Sequence, residues 1–317
     1  MPPDDRKRES PDFGQEVRAS DGVDALPGRL ERYGSAKSRA IDQAHFMRSF
    51  DGLARVSDRL ERCGTYLLFR HYFTVDKLRL HAANFCMYHL LCPLCAIRRG
   101  AKALRAYLDR FEVIRVENAS LRPFLVTLTV KDGPDLAERF QHLYKAQKEL
   151  WKRKHRGRGS CLDGVSGAVW SYEFKRGANS KLWHPHLHMI ALGENQPDQD
   201  ELRAEWLNIT GDSFIVDVRP ISQLDPVSGF LEVFKYAVKF ADQEHADTLH
   251  CWNTFKGVRL IGSAGCFRGV NVPDDLADDH DLDDLPYVDL LASWHHGRYQ
   301  LRRVDPQPLD PHHAIQS

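Results

Sequence analysis

The sequence predicts an α+β fold: an antiparallel sheet of the split β-α-β, ferredoxin-like type, preceded by a helical region that carries a four-cysteine site. Three observations predict it. Between residues 116 and 270 the apolar residues switch between a period of two and a period near 3.6, in the order β-α-β-β-α-β and then one more helix. That order folds into an antiparallel sheet with its helices packed on one face. Four of the seven cysteines fall between Cys63 and Cys95, ahead of that alternation. The chain beyond residue 270 is acidic and Pro-rich, which marks it off from the core.

Four stretches follow from this. Residues 1–40 are rich in Pro, Asp, Arg, Ser and Gly without periodicity and read as a disordered leader. Residues 41–115 form the helical, cysteine-bearing region. Phe46, Phe50, Leu53, Val56 and Leu60 recur at helical spacing, and a basic helix is expected from about Ile97 to Phe111. Residues 116–270 are the core. Pro123–Lys131 reads as a strand, Asp135–His155 as a long helix ending in a basic run, and Val165–Lys175 as a strand. His186–Leu192 is a further strand, followed by a helix over Gln199–Ile209 capped by Asp198 or Asp200. Phe214–Pro220 alternates as a strand and Val227–Phe240 returns to helix. Glu244–Phe255 is compatible with a helix, and Arg259–Gly269 reads as a Gly-rich turn segment. Residues 271–317 form an acidic tail.

Composition narrows the function classes. With 317 residues, 42% hydrophobic and 28% charged, the chain has the make-up of a soluble globular protein. No apolar run approaches 18 residues, so no membrane partner is expected. The N-terminus lacks the apolar core of a secretory signal. Clustered cysteines without such a signal favour metal or free thiols in a reducing cytoplasm over disulfides. The formal net charge is zero, but it is segregated. Arg98 to Arg158 holds sixteen Lys/Arg against seven Asp/Glu, and Asp274 to Asp289 holds eight Asp and no Lys or Arg. A basic middle with an acidic end fits a polyanion-binding body whose tail competes with the polyanion, although two solvated patches would look the same.

Three constellations carry chemistry. In His184-Pro-His186-Leu-His188 the imidazoles sit at period two, so a strand projects all three to one face, a metal-ligand geometry. If the preceding strand forms a hairpin with this one, Glu173 faces them as a third ligand; alone it would be an ordinary solvent-facing carboxylate. A mixed His/His/Glu shell suits Mn2+ or Zn2+ better than Mg2+, which cellular abundance keeps open. On the helix LEVFKYAVKF, Glu232 and Tyr236 are four apart, with Lys235 and Lys239 on the adjacent stripe. A tyrosine beside a metal can attack a phosphodiester, a carboxylate can act as general base, and lysines can hold phosphate oxygens. Without the histidines this would be a plain amphipathic helix. Cys92-Pro-Leu-Cys95, with Cys63 and Cys86, composes a four-cysteine zinc site, with His89 as a competing ligand and buried free thiols as the plain alternative. The following Ile-Arg-Arg-Gly-Ala-Lys would present Arg98, Arg99 and Lys102 to phosphates.

These elements, in this order, resemble the HUH endonuclease superfamily, and within it the single-tyrosine plasmid rolling-circle replication initiators, or Rep proteins. The resemblance rests on Phe124–Thr129 as the family's FLTLT-like strand, on His184–Ile190 as its HPHxH strand, on Glu232, Lys235, Tyr236 and Lys239 as its Glu-x-x-Lys-Tyr helix with a downstream Lys, and on the Cys-Pro-x-Cys and Arg-Arg segment after an upstream Cys. It spans roughly residues 60 to 270. It implies an HUH nuclease core in which a metal held by His186 and His188 polarises the scissile phosphate of a single-stranded or cruciform origin. It further implies that Tyr236 attacks to give a 5′-phosphotyrosine and a 3′-OH primer, and that Glu232 activates water at termination. His184 is then structural, and Glu173 rests on geometry alone.

No GxxxxGK[ST] loop is present, so a host helicase, with a polymerase, is the expected partner. The acidic tail and the leader fall outside the family motifs, and no motif addresses the oligomeric state. Rival readings are a histidine-triad nucleotidyl transferase, which leaves the cysteines and Tyr236 without a role; a transposase or relaxase of the same superfamily; and a non-catalytic, zinc-bearing DNA-binding repressor, which would bind DNA independently of Tyr236 and added metal.

Overall fold

Strands rich in apolar and β-branched residues, separated by capped helices, build two units. The computed structural model describes residues 11–18, 20–157, 159–177, 179–235, 239 and 243–306. One unit joins residues 1–99 to 273–317, and the other comprises residues 100–272. The central unit is therefore inserted, in sequence, between the two halves of the first.

The central unit holds five strands: β3 (Arg122–Thr129), β4 (Val165–Arg176), β5 (Trp183–Gly193), β6 (Val216–Pro220) and β7 (Ile261–Gly265). They run in the order β6-β3-β5-β4-β7, every neighbouring pair antiparallel. β5 lies in the middle and is buried along nearly its whole length. The helices of this unit begin at real caps. Asp135 accepts from Glu138 N ahead of α5 (Leu136–His155), and Asp198 accepts from Asp200 N and Glu201 N ahead of α6 (Gln199–Thr210). Asp225 caps α7 (Pro226–Phe234), and α8 spans His245–Phe255.

Alternation along β4 sorts these helices. Tyr172 and Phe174 meet Phe140 of α5 edge-on, and Trp170 stacks on Trp151. The intervening Ser171 and Glu173 point to the opposite face. There Lys239, just past α7, reaches Glu173, while α7 itself touches β3, β4 and β5. Phe230 and Phe234 of α7 in turn meet Phe111 and Tyr107 of α4 (Pro93–Glu117). Helices thus cover both faces of the sheet, a correction to the one-faced arrangement expected from the strand order alone. A second correction is β7, which pairs with β4 where a turn segment was expected. Gly265 permits this pairing: its φ is +59°, and a Cβ there would fall 2.0 Å from Ser166 O.

The flanking unit departs further from expectation. Its sheet has the order β2-β1-β8-β9, where β1 is Tyr66–Tyr72, β2 Lys77–Ala83, β8 Val288–His295 and β9 Arg298–Pro306. Residues 41–115 are therefore not wholly helical, and residues 288–306 of the acidic tail are strands. Nor is 1–40 a disordered leader throughout. α1 covers Pro11–Arg18, and α2 covers Leu26–Met47, burying Tyr33, Ala36, Ala40, Ala44 and Met47. Small alanines one turn apart make a buried stripe that hydropathy barely registers beside the intervening Arg, Lys and Ser. The helix expected over residues 41–62 divides into the end of α2 and α3 (Ala54–Arg62).

A buried ionic hub ties this unit together. Arg98 donates to Leu276 O, to Glu16, to Tyr33 and to Asp278, and Arg29 joins the same carboxylates. Burial would raise the Asp278 carboxyl, but Arg98 and Arg29 hold it far below the usual range, and Arg29 and Arg98 do the same for Glu16. Charges this deeply buried persist only as such mutually satisfied sets. Among the described residues no helix is long and apolar enough to cross a membrane.

Candidate active site and metal centres

The register of the central sheet decides which side chains meet. Glu173 on β4 is the cross-strand partner of His186 on β5, while on the other side β3 sets Thr129 against His186 and Thr127 against His188. Direct partners in an antiparallel sheet project to the same face. Accordingly Glu173, His186 and His188 form one buried cluster whose ligating atoms all lie within 4.8 Å of one another. His186 Nε2 stands 3.2 Å from Glu173 Oε1, and His188 Nε2 stands 3.5 Å from Glu173 Oε2. Donors held about 2.0–2.1 Å from one tetrahedral ion are about 3.3 Å apart, so the spacing fits a shared metal. Glu173 Oε2 and His188 Nε2 also have no hydrogen-bond partner although both are buried, as befits atoms meant for an ion.

The electrostatics agree. Burial would raise Glu173, but His186 and Lys239 hold its carboxyl well below the usual carboxylate range, so it is an anion. Burial pulls His186 down to about 4, against the opposing pull of Glu173, so its imidazole is neutral and has a lone pair to give. Thr127 Oγ1 lies 3.1 Å from His188 Nδ1 and fixes that ring with Nε2 toward the carboxylate. No motif or spacing points to Thr127, because only the β3–β5 register brings it to His188.

His184 shares that face, its ring 5.5 Å from that of His186, but it stands outside the cluster, with its Nδ1 2.6 Å from Asp132 Oδ1. Lys239 donates to Glu173 Oε1, and Lys235, buried, pairs with Glu232 at 2.5 Å. Both lysines expected to face phosphates therefore engage carboxylates of their own chain. α7 covers Pro226–Phe234 of the helix expected over Val227–Phe240, Lys239 N donates to Lys235 O at 3.0 Å, and residues 236–238 and 240 lie outside the described residues. Tyr236 lies outside the described residues.

A family model described as Replication protein matches residues 77–291, more than half of the chain. The chain belongs to the replication protein family. The matched span contains Glu173, His186, His188, Glu232 and Lys239. Relatives called "Protein rep" include one from Bacillus sp, 25% identical over 269 residues, covering 73% of this chain and 84% of the relative. One from Staphylococcus aureus is 27% identical over 225 residues, covering 67% and 94%. One from Streptococcus pneumoniae is 25% identical over 231 residues, covering 67% and 70%. No solved structure matches. At the level of family, the resemblance to Rep initiators read from the motifs is met.

This replication protein has a second cluster. Cys63, Cys86, Cys92 and Cys95 are all buried, with their sulfurs close together. Cys63 Sγ is 3.5 Å from Cys95 and 3.6 Å from Cys92, and Cys86 is 3.6 Å from Cys95. Zn–S bonds of about 2.3 Å in a tetrahedron set sulfurs about 3.8 Å apart, so the four thiols fit that ion closely. Hydrogen bonds from Cys86, Cys92 and Cys95 hold Cys63 well below the usual thiol range, while burial pushes Cys92 and Cys95 up. His89 is not part of the cluster. Lys37, which no motif flagged, is fully buried and donates to Glu61 O; burial pulls its ammonium down, and Cys63 and Cys92 pull it back up.

The basic residues after the cysteines require a correction. Arg98, expected on phosphates, is 3% exposed and spent in the ionic hub. Arg99 donates to Pro273 O and to Asp274. Lys102 is half-buried and also engaged. An exposed basic stripe lies instead on α5, where Lys145, Lys148, Lys152 and Arg156 recur at three- and four-residue steps.

Proposed function

We propose that this member of the replication protein family is a plasmid rolling-circle initiator, a strand-specific DNA nickase and ligase of the HUH type. The observation that carries the reading is the buried Glu173/His186/His188 cluster on the two central strands, within the span matched by the family model. The strand order β6-β3-β5-β4, which corresponds to the fourth, first, third and second strands of a split β-α-β unit, supports the ferredoxin-like core.

A divalent ion held by Glu173, His186 and His188, Mn2+ or Mg2+, would polarise the scissile phosphate. The remaining steps belong to the chain. Tyr236 Oη attacks phosphorus and gives up its proton, a Tyr–O–P bond forms and the P–O3′ bond breaks, and the departing 3′-oxygen takes up a proton, which leaves a 5′-phosphotyrosine and a 3′-OH that primes synthesis. Glu232 later takes a proton from water so that hydroxide displaces the tyrosine, with Lys235 holding Glu232 in place meanwhile. Lys239 orients Glu173 through its charge-assisted hydrogen bond. Zinc in the four-cysteine cluster serves the fold. The partners are single-stranded or cruciform origin DNA, with helicase and polymerase supplied by the host.

Labelled single-stranded origin DNA incubated with the protein and Mn2+ tests this on a denaturing gel. Wild type is expected to give an EDTA-sensitive covalent adduct, absent in Tyr236→Phe and in His186→Ala/His188→Ala. An adduct that survives in Tyr236→Phe assigns the nucleophile to another tyrosine. DNA binding without cleavage, across metals and cognate substrates, overturns the nickase reading.

A further inference from the structure

The acidic run between β7 and β8 does not hang free. It brings His280 and Asp283 beside His81, which projects from β2, and the three offer ligand atoms all within 4.8 Å of one another. We propose that His81, His280 and Asp283 form a separate metal site, selective for a divalent cation of the Zn2+, Ni2+ or Co2+ class, which fastens the acidic segment to β2.

The geometry is already close to that of a bound site. The rings of His81 and His280 meet edge-on at 4.9 Å, and His280 Nδ1 lies 3.2 Å from Asp283 Oδ2. Two ligands on one tetrahedral ion stand about 3.3 Å apart. The carboxylate is held in readiness by groups behind it: Tyr72 OH donates to Asp283 Oδ1 at 2.7 Å and Arg70 Nη1 lies 3.3 Å from the same oxygen. That leaves Oδ2 for the imidazole side, the arrangement that orients carboxylate ligands in metal sites. Arg70 is also shared with Asp289 at 3.3 Å and lies 4.2 Å over the Tyr287 ring, so its charge is largely committed. Two imidazoles with one carboxylate select borderline metals over Mg2+ or Ca2+, which prefer oxygen shells. His280 and Asp283 are exposed, so an ion can enter and complete its coordination with water.

Beyond the buried Asp278 anchor, the segment's surface ties include Asp281 to Arg79 and Asp274 to Arg99, both with an exposed aspartate, the kind of pair that salt weakens. A polyanion competing for Arg70, Arg79 and Arg99 would loosen those pairs, whereas coordination by His81 and His280 would persist.

The test is a calorimetric titration of Ni2+ into the full-length, untagged protein as purified, with its other two clusters intact. His280→Ala and His81→Gln are each expected to lose one equivalent of bound Ni2+ relative to wild type. His296→Ala, which removes another exposed imidazole, is expected to lose none. A melting scan should show a Ni2+-dependent rise in Tm that His280→Ala abolishes, and because His280 sits at the surface its removal leaves folding intact. Unchanged stoichiometry in His280→Ala, or an equal loss in His296→Ala, overturns the proposal. Neither result bears on the Glu173 cluster, so the nickase reading stands or falls separately.

Discussion

Thr127 contributes one hydroxyl to the face that carries the Glu173/His186/His188 cluster, and that hydroxyl holds the ring of His188. Partners of this sort typically account for about 10- to 100-fold in metal affinity. Thr127→Val keeps the β-branched shape, so Mn2+ binding followed by electron paramagnetic resonance should weaken by that factor while the melting temperature barely moves. Glu173→Gln should cost more, because it leaves Lys239 and two imidazoles around a neutral amide; the same spectra should show no high-affinity Mn2+. Glu173 was legible in the sequence because a short connector between two strands dictates a hairpin, and a hairpin sets the facing pairs. Thr127 was not, since β3 and β5 are separated by a helix and a whole strand, and their register is a property of the folded sheet. Arg98 misled for a related reason. A basic pair after a cysteine knuckle reads as a phosphate partner until Glu16 and Asp278, distant in sequence, claim the first arginine.

Among the elements, α5 has the clearest double character. Phe140, Leu143, Leu150 and Trp151 are buried, and Lys145, Lys148, Lys152 and Arg156 are exposed. If that stripe follows a DNA backbone, replacing all four with Gln should weaken binding at low salt. It should also flatten the dependence of log K on log salt by about 3 to 4, since each phosphate that a cation neutralises adds about 0.9 to the slope. An unchanged slope would place the DNA elsewhere. The elements of the central sheet were legible to within a few residues because each carries a clean period and a recognisable cap. α2 was not, because its buried face is built of alanine; β7 was not, because its glycines look like a turn.

At the scale of the whole molecule, the hub of Arg29, Arg98, Glu16 and Asp278 sets the response to acid. Both carboxyls titrate lower in the folded protein than in the unfolded chain. The folded state therefore binds fewer protons, and the stability this confers is complete above the unfolded values near pH 4 and lost as pH falls below them. Melting temperature measured between pH 6 and pH 2 should fall steeply below about pH 4. Asp278→Asn should flatten that fall and, by leaving two buried arginines to share Glu16 alone, lower stability at pH 7 by about 3 kcal/mol. The sheet of this unit was not legible in the sequence because β1 pairs with β8, more than two hundred residues later, and no local pattern announces a partner at that distance.

That pairing orders events in time. A nascent chain emerges with α2, β1, β2 and the cysteines first, then the whole of residues 100–272, and only afterwards Asp278, β8 and β9. Until then, the earliest part of the protein waits with an unpaired strand edge at β1 and with Glu16 as the one hub carboxylate that Arg29 and Arg98 share. A translation product that stops before β8 can thus fold its central sheet yet carry an open, aggregation-prone front half. The ribosome must pass β8 and β9 before the first unit begun can close.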